Sequence, residues 1–282
     1  MDKLEIRNGI YYGSLGRPSL FDLSIPNDWN HKLVIFVHGF MGFKDWGAWN
    51  LVQAYFVSKG FGFAKFNLSH NGGTTEQGLD FPDLEAFSRN TYSKEIADIG
   101  YVRGHISTLI QAEKTYLIGH SRGGGDVILH AQNEKTEKIA LWASISDIGS
   151  RFPTGQELTD WQQVGQRTVF NGRTQQQLPQ SFGFYEDCKS NEAELNIQAG
   201  IKALKIPLII FHGEDDSSVP ISEGEELALW SKNSLIRIKN ADHVFGSSHP
   251  WTKQELPPAL LEICKRTLAF FELDDTLHFK KN

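Results

Sequence analysis

The chain has 282 residues, 40% of them hydrophobic, which is enough to bury one large core in a single domain. Its formal net charge is −6 and its Lys and Arg are scattered, so nothing favours a nucleic-acid or anionic-membrane partner. Two cysteines, Cys188 and Cys264, exclude a disulfide scaffold and read as free thiols in a reducing compartment.

The first residues, Met1-Asp2-Lys3-Leu4-Glu5, carry no apolar signal segment, and no run approaches the roughly 18 apolar residues of a membrane span. A soluble, cytoplasmic protein is expected. Lys3–Arg7 and Ile10–Leu15, split by Asn8-Gly9, read as a β-hairpin. Next come continuous apolar runs bounded by turn residues, at 32–39, 61–69, 114–121, 138–146 and 206–214. Runs apolar on both faces fit the strands of a covered parallel sheet. The segment 234–243 alternates and fits a strand near a sheet edge.

Helical segments fall between the runs. They are Trp46–Ser58, Ser93–Gln111 with Ile96, Ile99, Val102, Ile106 and Leu109 on one stripe, Asp126–Gln132, Ser222–Trp230, and Lys253–Phe271. Ser222 with Glu225 reads as a capping box. Lys280-Lys281 reads as a solvated tail. Strand and helix alternate, which predicts crossover connections and a mostly parallel sheet covered by helices on both faces. Residues 148–203 break that rhythm. A structureless loop of this length is improbable, so the segment is expected to form an inserted cap of short helices within one domain spanning 1–282.

Gly119-His120-Ser121-Arg122-Gly123 matches Gly-x-Ser-x-Gly, a pattern short enough to arise by chance in a chain with 26 glycines. Its setting carries more weight. The serine follows a predicted strand and precedes a predicted helix, as a nucleophile elbow requires. Glycines two before and two after remove side chains that would strike the neighbouring strand and helix. A serine hydroxyl needs a base, and the base needs an orienting acid. Asp215 and Asp216 follow one later strand and His243 follows another, in the chain order Ser, acid, His. Val37-His38-Gly39-Phe40 follows the first long strand. There the Phe40 N–H can pair with the Arg122 N–H to hold an oxyanion.

The segments HGFMG (38–42), FNLSHNG (66–72), GHSRGG (119–124), HGEDDSSVP (212–220) and DHVFG (242–246) resemble the α/β-hydrolase fold superfamily over nearly the whole chain. They are most similar to small serine esterases of the feruloyl/cinnamoyl-esterase type, related to prolyl oligopeptidases. The resemblance implies an acid three residues after the glycine of the His-Gly turn, in the pattern G-x-x-D-x-x-V-P, and so selects Asp216 over Asp215. It also implies a cap between the sixth and seventh strands of the family fold.

The expected activity is hydrolysis of small apolar or aromatic carboxylic esters through an acyl-enzyme on Ser121, with His243 as base, Asp216 as orienting acid, and Phe40 and Arg122 as oxyanion donors. An aminopeptidase, acyl-peptide hydrolase or thioesterase on the same residues is an alternative, as is a non-catalytic small-molecule receptor. His38, Trp161 and Phe182 are candidates for substrate contact, against the competing readings that His38 is structural and the cap aromatics form their own core. His120, His70 and His249 read as structural, and Asp147 as a competing acid. The side chain of Arg122 is expected to be exposed, as in most elbows of this type. The chain has no HExxH, CxxC or GxxxxGK[ST] motif, so no metal or cofactor is expected.

Overall fold

The computed structural model describes residues 3–133 and 135–273; the Lys280-Lys281 tail lies outside them. Eight strands form one sheet: β1 (Leu4–Tyr12), β2 (Pro18–Ile25), β3 (Lys32–Val37), β4 (Gly62–Phe66), β5 (Lys114–His120), β6 (Lys138–Trp142), β9 (Leu208–Gly213) and β10 (Leu235–Ile238). Their spatial order is β1-β2-β4-β3-β5-β6-β9-β10. β1–β2 and β2–β4 pair antiparallel, and every other pairing is parallel. β10 is one of the two edge strands, which accounts for its weaker apolar character.

The alternation of side chains along each strand builds two cores. Leu33, Ile35 and Val37 of β3 face the first, with Leu117 of β5 and Ile139 and Leu141 of β6. Val34 and Phe36 of β3 face the second, with Tyr116 and Ile118 of β5 and Ala140 and Trp142 of β6. Helices α3 (Tyr92–Ser107), α4 (Arg122–His130) and α8 (Ile221–Ser231) close the first core, while α1 (Trp49–Val57) and α9 (Pro258–Glu272) close the second. α3 starts where Thr91 Oγ1 accepts from the Lys94 N–H at 3.3 Å, and it buries Ile99, Val102 and Ile106. Leu109 lies beyond its end. Among the described residues no helix is long and apolar enough to cross a membrane.

Two local readings are corrected. Asn8-Gly9 is no hairpin turn: β1 runs through it, with a bulge between Ile6 and Gly9. Asn8 takes a φ of 52° and its N–H donates to Asp22 Oδ1 at 2.8 Å, so the turn-prone pair is spent on the bulge. The chain reverses instead at Gly13–Arg17, where Gly16 has a φ of 69°. Ser222 does not cap α8; Pro220 occupies that position, and Ser222 lies inside the first turn.

The stretch between β6 and β9 contains α5 (Gly155–Val164), β7 (Gln166–Asn171), β8 (Gln176–Ser181), α6 (Gly183–Ser190) and α7 (Ile197–Ala203). It is therefore not built of helices alone, since β7 and β8 form an antiparallel hairpin. The signal for it was present in Val169-Phe170-Asn171-Gly172, an Asn-Gly after alternating residues. Leu178 of the hairpin packs with Phe43, Phe81 and Phe87, the last on the short helix α2 (Leu84–Ser88). α7 belongs to the first core through Ile197 and Ile201, so the excursion ends anchored to the body.

Candidate active site

β5 runs out at His120, α4 begins at Arg122, and Ser121 stands between them with φ 57° and ψ −124°. A residue with a Cβ is strained there. Neighbouring backbone holds it: the Ser121 N–H donates to Trp142 O at 2.9 Å, and its carbonyl accepts from Gly124 N at 3.0 Å. The glycines answer to crowding. A Cβ on Gly123 would lie 2.5 Å from Val37 O and 2.6 Å from His38 O, and one on Gly39 would lie 2.7 Å from Ser121 Cβ. A Cβ on Gly119 would collide with the Gly123 carbonyl. α4 can thus sit on the sheet with the N–H groups of Arg122 and Gly123, which have no intrahelical acceptor, beside the serine.

Asp216 is buried in the turn after β9. Its Oδ1 accepts from Ser218 N at 2.8 Å and Val219 N at 2.9 Å. Its Oδ2 lies 2.8 Å from His243 Nδ1 and 3.3 Å from His212 Nε2. Burial alone would push this carboxyl up. The hydrogen bonds from His212, His243 and Val219 outweigh it and hold the group well below the usual carboxylate range. With Nδ1–H donating to Asp216, the His243 Nε2 is left as an acceptor. His120 steadies this arrangement from behind: its Nε2–H donates to the His243 carbonyl at 2.9 Å, and the two ring centroids are 4.9 Å apart. Asp215 is exposed. Asp147 is also exposed, its Oδ2 accepting from Ser150 N at 2.6 Å.

Two cavities share Phe40, Ser121 and His243. One, of about 230 Å³, is walled by Met41, Trp46 and Trp49 and reached by Asn171 and Arg173 from the β7–β8 hairpin. The other, of about 280 Å³, is walled by Tyr92, Arg122, Ile145, Arg151 and Val219. The serine thus stands at the junction of two arms. A larger open cleft of about 700 Å³ lies beside Ser146, Cys188 and Trp230 and contains none of the three shared residues. No hydrogen bond among the described residues occupies the N–H of Phe40.

Arg122 corrects the expected exposure. Its side chain is 9% exposed, with its guanidinium 3.3 Å from Glu95 and stacked on Phe40, Tyr92 and Phe184 at 4.1, 4.8 and 5.2 Å. The aromatic partners come from three separate segments, so nothing near Arg122 in the chain signals its burial.

Of the proposed substrate contacts, His38 lines the smaller cavity. Trp161 and Phe182 line neither arm. They pack against each other at 5.3 Å with Tyr185 and Phe152, and Trp161 Nε1–H donates to Gln180 O at 3.0 Å. That is the interior of the excursion, since a short segment must cover its own aromatics first. Sequence reasoning missed Asn171, Arg173, Arg151 and Tyr92; only the hairpin's Asn-Gly pointed towards any of them.

His38 Nδ1–H donates to Gly39 O at 2.9 Å, and Nε2 accepts from Leu68 N at 3.2 Å, a pairing only the neutral ring can make. Burial pushes its pKa down to about 4, and that of His120 down to about 3. In the unfolded chain both rings take up a proton near pH 6.5. The unfolded state therefore binds more protons below that pH, and stability falls as pH drops from about 6.5 towards 4. The expected loss at pH 5 is about 2 kcal/mol for each ring. Urea unfolding at pH 7.5 and pH 5 measures it, and His38→Asn is expected to make the drop smaller by about 2 kcal/mol. An unchanged midpoint in the wild-type protein would contradict it.

His70 is buried against Ser69, with Oγ and Nδ1 2.9 Å apart. His249 Nδ1 accepts from Gly47 N at 2.9 Å and ties the loop after His243 to the start of α1. Cys188 and Cys264 are buried and unbridged.

No protein-family model matches the chain. Solved structures do. Est1E from Butyrivibrio proteoclasticus, in a structure with ferulic acid bound, superposes with a TM-score of 0.71 at 18% identity, over 93% of this chain and 98% of that one. A putative hydrolase from Agrobacterium vitis gives 0.70 at 17% identity, over 96% and 99%. The esterase domain of a Rhodothermus marinus protein gives 0.63 at 15% identity, over 96% and 98%. Likeness of this extent at such identities defines the fold. The chain has the α/β-hydrolase fold.

Proposed function

We propose that the protein is a serine hydrolase of carboxylic esters that works through an acyl-enzyme on Ser121. The observation that carries this reading is the 2.8 Å contact between Asp216 Oδ2 and His243 Nδ1, made by a histidine that shares both cavities with the elbow serine. His243 Nε2 takes the proton as Ser121 Oγ attacks the ester carbonyl. Asp216 holds the ring and stabilises its charged form. The N–H groups of Phe40 and Arg122 receive the oxyanion. Collapse expels the alcohol with the proton from His243, and a water activated by the same ring then frees the acid.

The aromatic arm beside Met41, Trp46 and Trp49 suits an apolar or aromatic group on one side of the scissile bond. The ferulic acid in the Est1E structure is an aromatic acid of that kind. The residues between β6 and β9 act in this reading as a cap, placing Asn171 and Arg173 over one arm and Arg151 over the other. Buried, unbridged cysteines agree with a cytoplasmic setting.

Amides and thioesters would use the same residues, and a receptor would bind without multiple turnovers. Fluorophosphonate labelling, with turnover of p-nitrophenyl acetate, butyrate and a hydroxycinnamate ester beside a peptide and a thioester, tests the reading. The expected result is labelling with many turnovers and a preference for oxygen esters. A well-folded protein that neither labels nor turns over would sink it.

A further inference from the structure

The arm of the cavity away from the tryptophans has a wall that simple apolar esters do not need. Two guanidinium groups line it, from Arg122 and Arg151. Arg122 is held between the rings of Phe40, Tyr92 and Phe184, which fixes its plane. Its one ion pair among the described residues engages a single nitrogen, Nη1, with Glu95. Arg151 pairs through Nη2 with Glu223, while its Nε is buried with no hydrogen-bond partner.

The acidic groups around the wall do not fully offset it. Arg122 faces Glu95, and Asp126 stands one helical turn further along α4. Burial pushes both carboxyls up, that of Asp126 well above the usual range. Carboxyls displaced in that direction hold their charge less readily than exposed ones, whereas a guanidinium stays charged. Tyr92, its phenol pushed well up by burial, adds no negative charge. The remaining wall is Phe40, Ser121, Ile145, Ser218, Val219 and His243, with no acidic side chain among them.

We propose that this arm binds a carboxylate carried by the substrate, so that the preferred esters have an anionic group on one side of the scissile bond and an apolar or aromatic group on the other. The inference rests on the ester-hydrolase reading above and specifies its substrate class. A carboxylate in this arm accepts from the guanidinium groups of Arg122 and Arg151 that line it, charge-assisted bonds that a neutral ester cannot make. The same contacts draw the reacting carbonyl towards the serine, because Arg122 also supplies one of the oxyanion N–H groups.

The test compares two matched pairs: p-nitrophenyl hemiglutarate with p-nitrophenyl pentanoate, where the acyl group carries the charge, and 4-carboxyphenyl acetate with phenyl acetate, where the leaving group does. Ser121→Ala protein supplies the uncatalysed background, which matters for the hemiglutarate. The expected result is a kcat/KM for the anionic ester about tenfold or more above its neutral match in at least one pair. Arg151→Gln is expected to lower that ratio by about tenfold. Glu223→Gln, which releases Arg151 from its partner while keeping a side chain that can hydrogen-bond Ser146, is expected to raise it. A gain in one variant against a loss in the other cannot come from poor folding.

Turnover of the neutral esters with no anionic preference in either pair overturns this proposal and leaves the hydrolase reading intact. A preference that ignores Arg151→Gln overturns it equally. If none of the four esters is hydrolysed, both readings fall together.

Discussion

Replacing Ser121 with alanine should abolish fluorophosphonate labelling and lower ester turnover by roughly 10⁴-fold or more, with the fold retained. Among the described residues shared by the two arms, Ser121 carries the one hydroxyl, and in the proposed mechanism its proton is the one His243 takes. Ser121→Gly should be equally inactive and also more stable. The serine pays for its position with a φ of 57° and a ψ of −124°, a conformation that costs a residue with a Cβ about 1 kcal/mol or more relative to glycine. Its relief should raise the melting temperature by about 2 °C in a chain of this size. Activity and stability would then move in opposite directions at one residue, the mark of a strained functional position. Thermal melts and active-site titration of the two variants measure both. Residual turnover near wild type in Ser121→Ala would remove the serine from the mechanism.

Asp216→Asn should cost about 10³- to 10⁴-fold in kcat with little change in KM. The reason lies in the forced orientation of the amide. Two backbone N–H groups, of Ser218 and Val219, donate to the Oδ1 position at 2.8 and 2.9 Å, so the asparagine oxygen must stay there. Its NH₂ then faces His243 and drives the ring to the tautomer protonated on Nε2, which cannot accept the serine proton. Asp215→Asn, one residue earlier on an exposed side chain, should leave kcat close to wild type. Steady-state kinetics on the pair separate the two aspartates. Equal losses in both, or a loss only in Asp215→Asn, would reassign the acid.

Much of the frame was legible because its signals are local. Five continuous apolar runs became β3, β4, β5, β6 and β9, and the alternating segment became β10 at one edge of the sheet. Their lengths shrank at the C-terminal ends, where residues such as His38, Gly39 and Ser121 leave the sheet beside the two cavities. Helix ends moved by a few residues because capping depends on the turn that precedes them: Thr91 starts α3, whereas Pro220 displaces Ser222 at α8. Asn8-Gly9 carried the right signal for a positive φ, and the structure used it for a bulge rather than a reversal. Short polar strands such as Gln166–Asn171 lack the apolar density that makes a strand visible in sequence.

By itself, then, the amino-acid sequence determined the alternation of strand and helix, the glycines that make room around Ser121, and the order serine, aspartate, histidine along the chain. Each depends on neighbours within a few residues. Only the tertiary structure decided which aspartate meets His243, because Asp215 and Asp216 differ by one step in a turn whose direction is set by the backbone N–H groups beyond it. It also decided that Trp161 and Phe182 cover each other while Arg122, Arg151, Asn171 and Arg173 reach the cavities. Those placements depend on burial against segments far away in the chain, and a side chain's partner across such a distance leaves no mark on the residues beside it.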